Sequence, residues 1–499
     1  MSLAQSAAAG ARWSVVSVAA RRLVTIVTSL VLARLLTPAD FGMMAMAVVF
    51  TGFVDLVRGL GTGAAVVQSE GLDDDLLSSL FWLNLAVGLA AAAALLVAAP
   101  LAADLFREPR LVPLLRALAV TPVLAVASIV SGSLLTRELR FRRLAFAEVG
   151  GASAGGVVGI VLALKGFAVW SLVWQSVSAA LAVSAATCLA AGWRPRMRFR
   201  GRAVRQVLAY SADVTGANVL SYVVRNADSL LIGRYLGAQS LGLYDLAFRV
   251  MMSSLQVVSA AFSRALFPVY VRFGDDHRRL GAAYLKVTAA LAFMMLPVVL
   301  GLGGVAKPFV AAVFGPAWAG AAPLLVILAP LGALQTLGTS VNNIYQTVRR
   351  TDLLLRWYTI SGLLLVTGFA IGLRWGVTGV AACYTIVSFG LAYFLFRIPL
   401  TLIGLRVSAL GKTLSRPLGC SLLMLGAVLL MRRLLPAGLS PRAVLLATVP
   451  GGAIVYVAAT WRFNRDGAVD LLRVAWPSRF APQFEERPFG VPGRQDLPS

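Results

Sequence analysis

Two adjacent apolar segments between Trp13 and Val67 narrow the choice of fold more than any other feature. They read WSVVSVAARRLVTIVTSLVLARLL and FGMMAMAVVFTGFVDLVRGLGTGAAVV, on either side of Thr37-Pro38-Ala39-Asp40. Each is long enough to cross a bilayer, which takes ~20 helical residues. Neither is free of charge: Arg21 and Arg22 lie inside the first, Asp55 and Arg58 inside the second. Ionisable groups at such depth are costly and by default mark a functional cavity. The polar positions are in register. Ser14, Ser17, Arg21, Thr25 and Thr28 recur at steps of three and four, as do Thr51, Asp55, Arg58 and Thr62, so each set shares one helix face. Aligned polar stripes on two membrane helices predict a wet, positively charged interior.

The rest of the chain extends this pattern. Of its 499 residues 59% are hydrophobic and only 13% charged, against ~25% charged in soluble domains. Its apolar segments are continuous rather than alternating, which excludes a barrel. The fold class is therefore all-α and polytopic. Fourteen helices are predicted, at about 12–35, 41–67, 76–102, 111–135, 144–164, 167–191, 207–235, 241–268, 281–303, 321–345, 353–373, 376–397, 416–435 and 441–463. The first segment has no small-residue cleavage site and carries charge in its middle, so it reads as a helix of the fold and not a secretory signal. The end of the chain, from Asn464, is rich in Pro and charge and is expected to be a partly disordered cytoplasmic tail.

The net charge of +24 arises from 45 Lys and Arg against 21 Asp and Glu. No nucleic-acid motif accompanies it, and arginine collects in cytoplasmic loops of membrane proteins. Arg137, Arg140, Arg142 and Arg143 share one loop. Arg194, Arg196, Arg198, Arg200, Arg202 and Arg205 crowd a second. Arg272, Arg278 and Arg279 occupy a third, and Arg349 and Arg350 a fourth. All four fall on one side, which places both termini in the cytoplasm. The acidic run Asp73-Asp74-Asp75 lies on the same side, but acidic residues weigh little in this rule. It resembles the DxD motif of glycosyltransferases, yet no nucleotide-binding domain surrounds it, and capping of the third helix is the simpler reading.

The chain also repeats. Shifted by 200 residues, SLVLARLLTPADFGMMAMA lies on SLLIGRYLGAQSLGLYDLA without a gap. Ser29 meets Ser229, Arg34 meets Arg234, Gly42 meets Gly242 and Ala47 meets Ala247. The expected organisation is an N-lobe at 1–200 and a C-lobe at 201–400, each of six helices, then two further helices at 401–463 and the tail at 464–499. An even number of helices per repeat makes the copies parallel, and substrate sites in such folds lie at the repeat interface.

ARLLTPADFGMMAMAVVF, followed by a helix ending in GLGTGAAVVQ, resembles the start of Wzx-type polysaccharide flippases. These belong to the multidrug/oligosaccharidyl-lipid/polysaccharide exporter superfamily, and the similarity continues more weakly to about Pro399. The resemblance implies a transporter in the bacterial inner membrane that moves polyprenyl-diphosphate-linked oligosaccharide for O-antigen, capsule or exopolysaccharide synthesis. Its implied partners are that substrate and membrane lipid, with a polysaccharide polymerase and chain-length machinery as further candidates. It implies no nucleic acid, no cofactor, no metal and no catalytic group. In the related lipid II flippases, arginines on helices one, two and eight line the central cavity. Arg21 or Arg22, Arg58 and Arg264 occupy those helices here.

The chemistry agrees with that assignment. A lipid diphosphate must exchange hydration for fixed donors, and guanidinium offers paired donors with a permanent charge. These arginines have a second explanation, pairing with Asp55 or snorkelling to the interface. Depth and stripe favour phosphate for Arg21 and Arg58, whereas Arg264, close to the interface, fits either. In the second lobe Arg225 and Arg249 extend the candidate substrate path. Asp55, Asp228 and Asp245 are candidate ion-coupling groups or charge partners. Arg225 and Asp228, at i and i+3, neutralise each other in the simplest reading. In the other, Asp228 takes up a proton or cation.

The remaining residues point to packing. Cys188, Cys383 and Cys420 lie in apolar segments and form no CxxC. The single histidine, His277, sits in a polar loop. Trp170, Trp174, Trp318, Trp357, Tyr358 and Trp375 lie near predicted helix ends, most of them as interface anchors. Helices thirteen and fourteen either flank a groove for the polyprenyl tail, as similar helices do in lipid II flippases, or simply pack. A cation-coupled drug exporter would call for acidic groups in an apolar cavity, and the excess of deep arginine disfavours it. A membrane glycosyltransferase or polymerase would call for a large outer loop, and the longest here is about 304–320. The topology predicts that single cysteines at Gln239 and Gly201, in a cysteine-free background, react with an impermeant maleimide from opposite sides. Reaction of both from outside contradicts it.

Overall fold

Sequence pattern alone settles where most helices begin. The computed structural model describes residues 3–58, 66, 73–197, 222–272, 277–348, 350–436 and 438–465. Helix α1 (Leu3–Leu35) stops before Thr37, and α2 (Pro38–Arg58) starts with a cap written in Thr37-Pro38-Ala39-Asp40. The Asp40 carboxylate accepts from the Thr37 N–H at 2.9 Å and from its hydroxyl at 2.7 Å, and Thr37 Oγ1 accepts from the Asp40 N–H. This is a reciprocal capping box with Pro at the first helical position, where a missing N–H costs nothing. Helix α3 (Asp74–Phe106) is capped by Asp73, whose carboxylate accepts from the Leu76 N–H at 2.7 Å. Its neighbour Asp74 pairs with Arg196 at 2.8 Å.

There follow α4 (Leu111–Leu118), α5 (Val120–Arg137), α6 (Phe141–Leu164), α7 (Trp170–Ala191), α8 (Ala227–Arg272), α9 (His277–Gly304) and α10 (Ala306–Val313). The last five are α11 (Ala321–Thr347), α12 (Thr351–Gly372), α13 (Gly376–Leu402), α14 (Val407–Leu434) and α15 (Pro441–Phe463). Every long element among the described residues is helical. Helix α8 is two helices joined at Gly237, where φ is 81° and ψ 178°, a conformation that disfavours any residue with a Cβ. Predicted helices seven and eight fall on the two sides of that break. Thirteen long helices among the described residues are consistent with the predicted fourteen; most of predicted helix seven, 207–235, lies outside the described residues. Ten described segments combine the length and hydropathy needed to cross a membrane, and many of their large apolar side chains face outward, Val97, Leu189 and Leu446 among them. Such a surface suits lipid and not water. The protein is a multi-pass membrane protein.

The chain forms two compact units. One comprises Met1–Arg249, Val310–Leu324 and Tyr358–Val387; the other comprises Val250–Phe309, Leu325–Trp357 and Ser388–Ser499. In the first, α6 packs along both α1 and α7. Glycine permits this. Gly151 and Gly155 lie so close to Val183 and Ala179 of α7 that a Cβ would collide with the neighbouring helix. Gly156 is similarly pressed against Thr28 of α1. Small residues at such spacing let helix backbones approach where the hydrophobic effect gives no help. The other unit has a larger side-chain core, in which Leu280, Tyr284 and Leu291 of α9 meet Val341, Ile344 and Tyr345 of α11 and Leu400 of α13. Helix α14 packs on α9 and α15, and the Tyr456 hydroxyl donates to the Phe293 carbonyl at 2.6 Å.

Two expectations change. The outward segment at 304–320 is not an open loop: it folds as α10 and a short 3-10 turn, Pro316–Trp318. Trp318 is not an interface anchor but fully buried, with its indole N–H donating to the Ala33 carbonyl at 2.6 Å. Arg432 also gains a partner in the structure. It lies in the last turn of α14 and donates to the carbonyl of Gly304, the last residue of α9. A helix C-terminus has unpaired carbonyls that a cation satisfies well. Arg432→Ala is expected to lower the thermal midpoint of the detergent-purified protein, consistent with loss of about 1–2 kcal/mol. Arg433→Ala, exposed on the same turn, is expected to leave it unchanged.

Candidate functional site

The polar stripe of α1 has two environments. Ser17 and Thr28 are buried, Thr28 against Gly156 of α6. Arg21 lies between them and is exposed. It lines a cavity of about 310 Å³ in the first unit, together with Ser128 of α5, Glu148 and Ala152 of α6, and Ser184 of α7. Part of the stripe is thus helix-packing surface, and its charged member faces a largely apolar cavity with a few polar groups, within a bundle of four helices. Ser184 and Ser128 donate to the carbonyls of Leu124 and Ala125. Their hydroxyl oxygens thereby keep acceptor lone pairs free and offer no further proton.

Glu148 is the residue that sequence reasoning passed over. It sits in an otherwise small, apolar stretch, LAFAEVGGASAGG, and an intramembrane carboxylate is a signal that could have identified it. It places a negative charge on the same cavity wall as Arg21. Arg22, one residue on, is exposed. The side chains of Asp55, Arg58 and Arg264 lie outside the described part of the structure, although α2 and α8 run through those positions.

A second cluster lies farther along the first unit. Asp228 is buried, and its two oxygens accept from the Tyr244 hydroxyl at 2.8 Å and the Ser229 N–H at 2.7 Å. These donors are neutral. Among the described residues no ion pair joins Arg225 to Asp228; Arg225 points outward and is exposed. The expected i, i+3 neutralisation is therefore replaced by a tyrosine cap. Asp245 takes the cation instead, with Arg249 Nε 2.7 Å from its Oδ2, although the two are not aligned as a hydrogen bond. Arg249 is thus engaged with Asp245 rather than free for an anion. From Tyr244 an aromatic column continues, Phe248 stacked at 6.0 Å and Tyr384 on Phe248 at 6.4 Å, with Phe369 edge-on to Tyr384 at 5.1 Å.

Burying a carboxylate without a cation makes each neutral donor important. Tyr244→Phe removes one of the two partners of Asp228 while keeping the ring. It is expected to destabilise the folded protein by about 1–3 kcal/mol. In the same thermal unfolding assay Asp228→Asn with Tyr244→Phe is expected to recover part of the loss, and Arg225→Ala to leave stability near the parent value.

Comparison with known proteins adds to this geometry. The pattern of the polysaccharide biosynthesis protein family matches residues 31–323. The chain is similar to the lipopolysaccharide biosynthesis protein WzxC of Escherichia coli (strain K12), 26% identical over 378 residues, or 74% of this chain and 76% of that protein. It is 32% identical over 317 residues to the succinoglycan biosynthesis transport protein ExoT of Rhizobium meliloti (strain 1021), 64% of each chain. It is 27% identical over 396 residues to the teichuronic acid biosynthesis protein TuaB of Bacillus subtilis (strain 168), 78% of this chain and 81% of that one. Among solved structures, the lipid II flippase MurJ in an inward closed conformation superposes with a TM-score of 0.73, at 16% identity over 91% of this chain and 99% of that chain. A multidrug resistance MATE family transporter in an inward-facing conformation gives 0.60 at 18% identity, over 79% and 96%.

Proposed function

The chain belongs to the polysaccharide biosynthesis protein family, and from that premise we propose that it flips polyprenyl-diphosphate-linked oligosaccharide from the cytoplasmic to the outer leaflet of a bacterial inner membrane. The family match carries this reading. It is supported by relatives named for lipopolysaccharide, succinoglycan and teichuronic acid synthesis, one of them a transport protein. The helical fold is that of a lipid II flippase. Movement of a lipid across the bilayer requires no bond to form or break, so the work lies in binding a charged headgroup inside the membrane and changing which side it faces.

In this reading both termini are cytoplasmic, and residues 1–200 and 201–400 act as two lobes, with 401–463 beside them. Arg21 is the first anion ligand, assisted by Arg22, Arg58 and Arg264 on the cytoplasmic half. Among the described residues no salt bridge joins Glu148 to Arg21, though both line the cavity, so a diphosphate with more than one charge has no ion pair to displace there. Guanidinium then engages two phosphate oxygens at once. Arg225, exposed and unpaired with Asp228, is a later station, whereas Arg249 serves there only if Asp245 releases it. Asp228, held by neutral donors, is a candidate proton site for coupling. A polymerase and chain-length machinery, which consume the flipped units, are the proposed partners.

The test is export of the mature polysaccharide in cells that lack the native gene. Arg21→Ala is expected to reduce export strongly, with lipid-linked intermediate accumulating inside. Arg21→Lys should fall between Ala and parent, because charge is kept and the planar fork lost. Glu148→Gln should alter export less than Arg21→Ala and strengthen binding of a diphosphate analogue. Normal export from an Arg21, Arg22, Arg58 triple alanine variant at parent protein level contradicts the diphosphate role. Extrusion of cationic drugs with no effect on polysaccharide moves the assignment to a multidrug exporter.

A further inference from the structure

The internal repeat and the structure meet at one place in the first unit. Gly42 of α2 lies against the backbone of Ala238, so that a Cβ on Gly42 would collide with the Ala238 carbonyl oxygen. Gly242 lies in the same way against the Pro38 carbonyl oxygen. Gly42 and Gly242 are equivalent under the 200-residue shift, and so are Pro38 and Ala238. Each copy presents its glycine to the helix start of the other.

Two further contacts obey the same exchange. Arg34 donates through Nε to the Val313 carbonyl at 2.7 Å, and through Nη2 to that of Ala312, at the end of α10. Arg234, its equivalent, donates to the Asp104 carbonyl at 2.8 Å, at the end of α3. Arginine from the first copy caps a helix of the second, and arginine from the second caps a helix of the first. Aromatic rings fill the remaining space. Trp318 covers Ala33 with Phe41 edge-on at 5.2 Å, and Phe106 presses on Gly233, the equivalent of Ala33. Around the crossing, Leu32, Ala33, Met46, Ala47, Ile232 and Leu241 are all but inaccessible.

We infer that this reciprocal crossing is the outward closure of the transport path, made in the state seen here and broken when the path opens to the outside. The inference rests on the transport reading and on a cytoplasmic N-terminus, which together put the end of α1 at the outer surface. The composition of the contact suits a seal that separates. Where the glycines meet carbonyls the contact is backbone on backbone, and the Trp318 and Phe106 rings beside it withdraw as it parts. The arginine caps are charge-assisted hydrogen bonds at helix ends, and water can replace them once the ends part. The two repeats are joined here by contacts that occur in equivalent pairs, so both halves are expected to release in one concerted step rather than fray separately.

The test uses the full-length protein in cells, in a cysteine-free background. Met46→Cys, about one turn inside Gly42 and 1% exposed, is treated with a membrane-impermeant maleimide from outside. Replacing Gly42 by Leu is expected to raise its labelling severalfold. Where the Leu variant does not accumulate, Arg34→Ala combined with Arg234→Ala is the second test, with the same expected direction. Thr37→Cys and Gln239→Cys, exposed beside the crossing, are then joined by a short reducible thiol linker. Export should be lost, Met46→Cys labelling should fall to background, and reduction should restore both. Normal export from the cross-linked chain overturns the inference, because a fixed contact would not need to part. So does unchanged labelling in a Leu or double-alanine variant that elutes as the parent does, or labelling that rises only from the cytoplasmic side. Labelling needs no substrate, so a closure that responds as expected in a protein that exports no polysaccharide would count against the flippase reading and not against this one.

Discussion

A carbonyl at the end of a helix has no partner within that helix, and most of what is distinctive in this structure follows from how those carbonyls are satisfied. Four arginines do it across helices. Arg34 serves α10, Arg234 serves α3, Arg143 reaches the Ala190 carbonyl in the last turn of α7, and Arg432 serves α9. Each brings a full positive charge to the negative end of a helix dipole. The large positive charge of the chain therefore has more than one origin. Part is the loop arginine of a membrane protein, and part is spent fastening helices at positions far apart in sequence. A count of arginines does not distinguish these from the ones available to an anion.

The same economy explains the second carboxylate cluster. Asp228 could have been matched with Arg225 three residues earlier, but the helix turns Arg225 outward and brings Tyr244 to it across the Gly237 break. A hydroxyl satisfies an oxygen without cancelling its charge. Asp245, one residue beyond Tyr244, draws Arg249 to itself on the next turn. Two acidic groups on either side of the Gly237 break thus end in different electrostatic settings, one paired with a cation and one held by neutral dipoles.

Sequence carried the fold a long way, for physical reasons that can be named. Apolar length and the positions of Thr37, Pro38 and Asp73 determine where helices cross and start, because bilayer thickness and capping chemistry are local constraints. The shift that aligns Arg34 with Arg234 was visible for the same reason. The partner of each side chain was not. That Arg432 reaches α9 was not legible because α9 and α14 are distant in the chain, and Trp318 looked like an anchor because its cover comes from Ala33 and Phe41. Glu148 escaped notice because periodicity cannot say that α1 and α6 share a cavity wall. Periodicity gives a face; only packing says what that face meets.

The glycine crossing has the form of an interface between two identical molecules: position i of one copy touches j of the other, and j touches i. Two copies in one chain are free of the constraint that real dimers obey, since each half can now change alone. They have done so at the crossing itself. The first copy turns with Pro38 under a Thr37–Asp40 cap; the second has Gly237 at positive φ followed by Ala238, with Ser240 where the first has Asp40. The glycines, where the backbones touch, are alike, and the turns behind them are not. Symmetry here has retreated to the few atoms in contact, leaving the two arms free to acquire different rigidity on either side of it.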